Sequence, residues 1–234
     1  MPETQEVDLA VSMAQGSACT FAPAAERDAD EIYALAFKNP EPFLRRVNEA
    51  DVKMWTTDEN WMCWVAKGGA SGSTIALCNL MIPVAVQHVS TLEPAEFGAL
   101  LTDPSQRGTG IGAVLATFAL ASYFWDTDPD SPTPIPLVAH VHVENQAPRK
   151  ILRALGFEQR GRVEVRGSRP GFEHMPRDAR GMVIGDEFEF PPLKRADLFV
   201  RMAGLLDRSN HTFHGPIGMT SQALLSLAAG LAGR

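Results

Sequence analysis

The sequence predicts a mixed α/β fold, and three observations carry that prediction. A strand-like run at residues 96–102 leads through a glycine loop into a helix-like run at 111–125. Two apolar runs, 61–67 and 74–86, flank Gly68-Gly69-Ala70-Ser71-Gly72, which reads as a hairpin turn. A further strand at 137–143 passes into a short helix at 147–155, closed by Gly156 at the left-handed C′ position. Strands paired by hairpins and strands followed by helices thus share one chain.

Each element follows from its residues. Residues 1–16 are polar without period and are expected to be disordered. A short strand at 18–22 precedes a helix that starts near 25–28, carries Ile32, Leu35, Ala36 and Phe37, and stops at Asn39-Pro40. A second helix is expected at 42–50, with Phe43, Leu44 and Val47 on one face. In the 61–67 strand, Trp61 and Trp64 fall on opposite faces, so at least one belongs to the core. The long helix sets Ile111, Leu115, Phe118, Ala121 and Trp125 on a single apolar stripe, suited to packing on a sheet. An acidic, proline-rich loop at 126–132 follows it. Strands are read at 159–166 and 181–190, with an arginine-rich loop at 167–180 between them. An amphipathic helix at 193–206 and a tail at 209–234 with one weak helical run (222–231) complete the chain.

Composition narrows the class. The 234 residues suffice for one substantial core, and 45% hydrophobic with 21% charged residues is ordinary for a globular protein. A net charge of −7 argues against a nucleic-acid partner, which needs a basic face. No apolar run reaches the ~18 residues of a membrane span, and residues 1–16 lack a secretory pattern. Cys19, Cys63 and Cys78, at wide irregular spacing, are expected to be buried free thiols in a reducing, cytoplasmic setting.

The loop Gln106-Arg107-Gly108-Thr109-Gly110-Ile111-Gly112-Ala113 is the most informative stretch. It places consecutive backbone amides at a helix start, where the dipole favours anions. Glycine at 108, 110 and 112 removes the Cβ atoms that would hold a phosphate away. Gly108-x-Gly110-x-x-Ala113 also satisfies a dinucleotide pattern, but residues 103–107 intervene between strand and first glycine, and the unit comes late in the chain. No Gly-Lys-Ser/Thr follows, which excludes a Walker loop.

Arg107-x-x-Gly110-x-Gly112 resembles the R/Q-x-x-G-x-G/A signature of the GNAT superfamily of acyl-CoA N-acyltransferases. Leu100-Leu101-Thr102-Asp103-Pro104 is similar to the strand end that precedes that signature, and Val141-His142-Val143-Glu144-Asn145 with Leu155-Gly156-Phe157 is similar to its later strand and "LGF" block. The resemblance implies a central, mostly antiparallel sheet splayed at its fourth and fifth strands, with helices on both faces. It divides the chain into a disordered segment (1–16), an acetyltransferase-like domain (17–190) and a C-terminal helix and tail (191–234).

The resemblance also implies acetyl-CoA as co-substrate, with no metal. Its pyrophosphate would lie on the amides of Arg107, Gly108, Thr109, Gly110, Ile111 and Gly112, and its pantetheine arm along Leu100 and Thr102 with Asn145 beside it. The bland readings make Asn145 a helix cap and Arg107 a solvated charge. Glu96 sits where histone-type members place a catalytic glutamate. By alternation Glu96, Gly98, Leu100 and Thr102 share a face unless a bulge breaks the register. His140 and His142 share a strand face, and either can relay a proton or serve structure alone. The tyrosine that family members often use as an acid is replaced by Leu152, and the only tyrosines are Tyr33 and Tyr123.

The acceptor is expected to be a small primary amine, ahead of a protein amine. Regions 37–46 and the loop bearing Arg166, Arg169, Phe172, Arg177 and Arg180 surround its entry, and those arginines are a candidate anion clamp. His211-x-x-His214 lies in the tail and is assigned no role. Leu198, Phe199, Met202, Leu205 and Leu206 offer an apolar face for a homodimer. A module that binds acyl-CoA without transferring it is the competing reading.

Overall fold

In chain order the elements of a computed structural model are β1 (Cys19–Pro23), α1 (Ala29–Lys38), α2 (Glu49–Thr57), β2 (Trp61–Gly68), β3 (Ser73–Met81), β4 (Ala95–Thr102) and α3 (Ile111–Asp126). They continue with β5 (Leu137–His142), α4 (Gln146–Leu155), β6 (Glu158–Arg166), β7 (Met182–Glu189), α5 (Arg195–Arg208), β8 (Thr212–Phe213) and α6 (Ser221–Ala232). The structure describes residues 18–38, 42–68, 72–82, 93–127 and 135–233. The expected disordered segment 1–16, the Asn39-Pro40 stop and most of the acidic loop lie outside them.

The strands form one mixed sheet in the order β6-β7-β5-β4-β3-β2-β1-β8. Neighbours run antiparallel except at β4–β5 and β1–β8, which are parallel. One face packs a core of Trp64, Leu80, Phe97, Phe118, Phe188 and their neighbours under α3, α4, α5 and α6. The other face packs Ile32, Val52, Trp55, Val65, Leu77 and Leu101 under α1 and α2. Trp64 is the fully buried member of the tryptophan pair on β2, while Trp61 packs at the edge of the second core. All three cysteines are buried free thiols, and burial pushes the Cys63 thiol up to about 12.

Several expectations are corrected. The second helix does not start at 42 but at Glu49. Asn48 accepts a hydrogen bond from the Asp51 amide (2.9 Å), and the Asp51 carboxylate accepts from the Asn48 amide (3.0 Å). This capping box fixes the start, and residues 42–48 stay irregular. Helix α3 is not a one-sided stripe, because thirteen of its residues are buried. The sheet covers one side, while α5 and the C-terminal strand cover the other, with Phe213 against Phe118 at 5.6 Å between centroids. The strand expected at 74–86 ends at Met81, and residues 83–92 lie outside the description.

The C-terminal helix does not hold its apolar face for a second subunit. Leu198, Phe199, Met202 and Leu205 are each at most 2% exposed within this chain's own core. The tail also carries more order than its sequence promised. Thr212–Phe213 pair with β1, and the His214 amide donates to Phe21 O at 2.8 Å. His211 Nδ1 accepts from the Cys19 amide at 3.2 Å while its ring packs on Phe21.

That contact needs a neutral imidazole, and burial lowers the His211 pKa from its usual 6.5. The unfolded chain therefore binds this proton more readily than the folded one. The stabilisation is complete above about pH 6.5 and is lost as pH falls below it toward the depressed folded value. Thermal melts of wild type and His211→Phe at pH 5.5 and 7.5 should show a larger fall at low pH for wild type. An identical pH dependence in both proteins would contradict the assignment.

Candidate active site

The sheet opens where β4 meets β5. These strands pair only at Ala95↔Leu137 and Glu96↔Val138. Beyond that point β4 bulges against β3, with a register shift between Leu77 and Asn79 and with Ala99 at φ 45°, a left-handed conformation for a non-glycine residue. The bulge overturns simple alternation. Ala95 and Phe97 face the α3 core, whereas Ala99 and Leu101 face the α1–α2 core. Glu96 and Gly98 therefore do not share a face with Leu100 and Thr102.

A cleft of about 460 Å³, open to solvent, occupies the gap. Its walls include Gly98, Ala99 and Leu100 from β4, His140 from β5, Asn145 from the start of α4, and Phe43 from the irregular loop. Asn145 stands at the N-cap of α4 but makes no side-chain cap bond, so its carboxamide is not committed to the helix. Leu152, 2% exposed, forms an apolar wall at the position of the expected tyrosine acid. Tyr123 is buried in α3 and Tyr33 stacks on Phe37, so neither lines the cleft. Arg149 on α4 donates to Val143 O and pairs with the buried Asp186 at 2.7 Å.

At the far end of β4 the chain turns through Pro104–Gln106, with Asp103 Oδ1 accepting from the Ser105 amide at 2.8 Å. Gly108 (φ 78°) and Gly110 (φ 87°) then take left-handed conformations, and α3 begins at Ile111. The amides of Ile111 and Gly112 are first-turn donors with no helical acceptor, and the first turn holds no acidic residue. Their positive helix end is therefore available to an anion. A Cβ at Gly108 would meet nothing within 4 Å. Gly112 has a different reason for being glycine, because a Cβ there would lie 3.0 Å from Thr102 Oγ1. It allows the helix to approach the strand end. The Arg107 Nε folds back to Thr102 O at 3.4 Å.

Glu96 is not in free solvent. His140 Nδ1 lies 3.0 Å from Glu96 Oε1, and His140 Nε2 lies 3.2 Å from Glu187 Oε2. The hydrogen bond to Glu96 raises the His140 pKa above 6.5, burial opposes it, and Glu187 adds to the rise. His140 lines the cleft and Glu96 stands behind it. His142 is committed differently. Its Nδ1 accepts from the Glu144 amide (3.2 Å), its Nε2 faces Pro176 O (3.4 Å), and its ring stacks on Phe43 at 4.8 Å.

The arginine loop is mostly occupied in holding itself. Arg180 pairs with Glu164 (2.5 Å) and Asp178 (2.9 Å), Arg177 donates to Glu173 O, and Arg169 lies over the Phe172 ring. None of these arginines is among the described residues that line the cleft. The loop instead docks on residues 42–48, where the Arg46 amide donates to Gly171 O at 3.0 Å.

Glu187 and Asn79 escaped sequence reasoning. Glu187 reaches His140 only through the β5–β7 register, which pairs them directly. Asn79 sat unnoticed in an apolar run, where a lone buried amide is the only signal. Among the described residues no group of three metal-binding side chains is present, and no helix is long and apolar enough to cross a membrane.

The acetyltransferase (GNAT) domain family matches residues 19–158. No curated protein matches the chain. Solved structures share the fold at low identity. The ribosomal-protein-S18-alanine N-acetyltransferase of Escherichia coli is 13% identical, with a TM-score of 0.53 over 74% of this chain and 93% of that one. NAA60 of Arabidopsis thaliana in complex with acetyl-CoA is 13% identical, with a TM-score of 0.54 over 74% and 97%. A chimera of the spermidine N-acetyltransferase SpeG from Vibrio cholerae with hSSAT is 17% identical, with a TM-score of 0.53 over 76% and 98%.

The His140 cluster makes a direct prediction. In an NMR titration the His140 ring should change protonation above pH 6.5, and Glu96→Gln and Glu187→Gln should each lower that midpoint. A midpoint unchanged in both variants would show that the carboxylates do not hold the imidazolium.

Proposed function

The chain belongs to the GNAT acetyltransferase family, and from that premise we propose that it transfers the acetyl group of acetyl-CoA to a primary amine by direct attack in a ternary complex. One observation carries the reading: β4 and β5 separate after two paired positions, which leaves the backbone of Gly98, Ala99 and Leu100 facing a cleft instead of a neighbouring strand. Such an edge pairs with the amides of a pantetheine arm as it would with a peptide.

The residues present fit coenzyme A. The amides between Arg107 and Gly112 would hold the pyrophosphate, on a helix end that carries no competing acid. Leu100 and Thr102 would flank the arm on the strand side, and Asn145, free of any capping bond, would meet it from α4. Bound acetyl-CoA supplies an acetyl thioester whose carbonyl accepts the amine. The chain must then take a proton from the amine, and the Glu96–His140–Glu187 cluster is the acceptor at the cleft. No tyrosine reaches the departing sulfur, so its proton would come from water or it would leave as thiolate.

The acceptor is proposed as a small amine. The cleft is lined by the stacked rings of Phe43 and His142, which suit a slender amine better than a folded protein surface. A cytoplasmic setting fits the buried thiols. The proposal needs no second subunit, because the α5 face is already filled. The competing reading, a sensor that binds acyl-CoA without turnover, draws on Leu152 in place of an acid.

Calorimetric titration should show saturable binding of acetyl-CoA and none of NAD. Gly110→Glu should weaken acetyl-CoA binding at least ~100-fold, about 2.7 kcal/mol, with a melting curve to confirm that the strained loop still folds. Undiminished binding would remove the pyrophosphate from this loop. Against a panel of small amines and peptides, wild type should acetylate small amines, with activity rising through the raised His140 pKa as pH increases. Glu96→Gln should move that limb to lower pH. Saturable binding without turnover on any amine would favour the sensor.

A further inference from the structure

We propose that Asn79 is a positioning residue that aims the Ala99 N–H into the cleft as the donor for the acetyl carbonyl oxygen; this rests on the acetyl-CoA reading above. Asn79 is 3% exposed and stands opposite Gly98, where the β3–β4 register shifts. Its carboxamide has two neighbours, Trp55 Nε1 and the Gly98 carbonyl. The indole can only donate and the carbonyl can only accept. The side-chain oxygen therefore accepts from Trp55 Nε1 at 3.2 Å, and the nitrogen donates to Gly98 O at 3.3 Å.

The consequence follows from peptide geometry. In a planar trans peptide the carbonyl of one residue and the N–H of the next point in opposite directions. A Gly98 carbonyl drawn toward Asn79 on β3 turns the Ala99 N–H away from β3, toward the side that β5 has vacated. Gly98 and Ala99 both line the cleft there. Trp55 anchors the carboxamide from α2, so the amide cannot swing to release the peptide. Gly98 completes the arrangement, since a Cβ would lie 3.3 Å from the Asn79 carboxamide and displace it. A donor fixed before the reaction begins stabilises the charge that gathers on the carbonyl oxygen more than it aids binding.

The test uses ¹⁵N-labelled full-length protein titrated with acetyl-CoA and, separately, with CoA, which lacks the carbonyl. In wild type the Ala99 amide proton should move further downfield with acetyl-CoA than with CoA. Asn79→Leu, which keeps the volume, and Asn79→Asp, which puts an oxygen against Gly98 O, should abolish that difference. In both, kcat per folded molecule should fall at least ~10-fold while KM for acetyl-CoA stays within ~2-fold. Thr220→Ala, which removes the cap of α6 where that helix packs on α5, should lower stability and leave both readouts unchanged. If Asn79→Asp fails to fold, Asn79→Leu carries the comparison.

An equal response of Ala99 to the two ligands in wild type, or a wild-type response in Asn79→Leu, would overturn the positioning role. Neither depends on turnover, so both stand even if no amine is acetylated. Failure of wild type to bind acetyl-CoA would instead overturn the proposed function from which this role derives.

Discussion

Everything at the candidate site depends on two strands that start a parallel pairing and abandon it. After Glu96↔Val138 the β4 and β5 backbones part, and β4 bulges at Ala99. A left-handed alanine costs about 1–2 kcal/mol, and an unpaired sheet edge leaves backbone groups unsatisfied. The surroundings hold this arrangement in place. Asn79 accepts from Trp55 and donates to Gly98 O on one side of β4, and on the β5 side Arg149 ties the Val143 carbonyl to the buried Asp186.

The remainder of the chain stiffens this frame. Helix α3 begins at the glycine loop and runs through the centre of the larger core, enclosed by the sheet and by α5. The C-terminal strand adds a parallel pairing to β1 and lays Phe213 on both Phe21 and Phe118. Residues beyond the span matched by the family therefore bury the outer side of the helix whose N-terminus is proposed to hold the pyrophosphate. A rigid α3 keeps the first-turn amides in fixed relation to β4, where Gly112 closes on Thr102.

The proton chemistry departs from what single residues suggested. Glu96 alone reads as a base or as a solvated strand-start residue, and it is neither in isolation. It shares His140 with Glu187, so that one imidazole links carboxylates from two strands that are far apart in sequence. The group of this cluster that reaches the cleft is the imidazole. The apolar Leu152 wall leaves this cluster as the proposed place of proton transfer.

By itself, the sequence determined the order of strands and helices, the hairpin, the glycine loop at a helix head and the Gly156 stop, because each is local chemistry of backbone freedom, periodicity and capping. Its resemblance to the GNAT signature also implied the splayed pair of strands that the structure contains. Even one local signal went unread, the Asn48–Asp51 capping box that starts α2. Tertiary structure alone decided the rest. The bulge that puts Glu96 and Leu100 on different faces, the Glu187 partner of His140, the Asn79 bridge and the burial of α5 all depend on register and packing between segments distant in the chain. Those are set by the collective fit of two cores around one sheet, a quantity that no window of sequence contains.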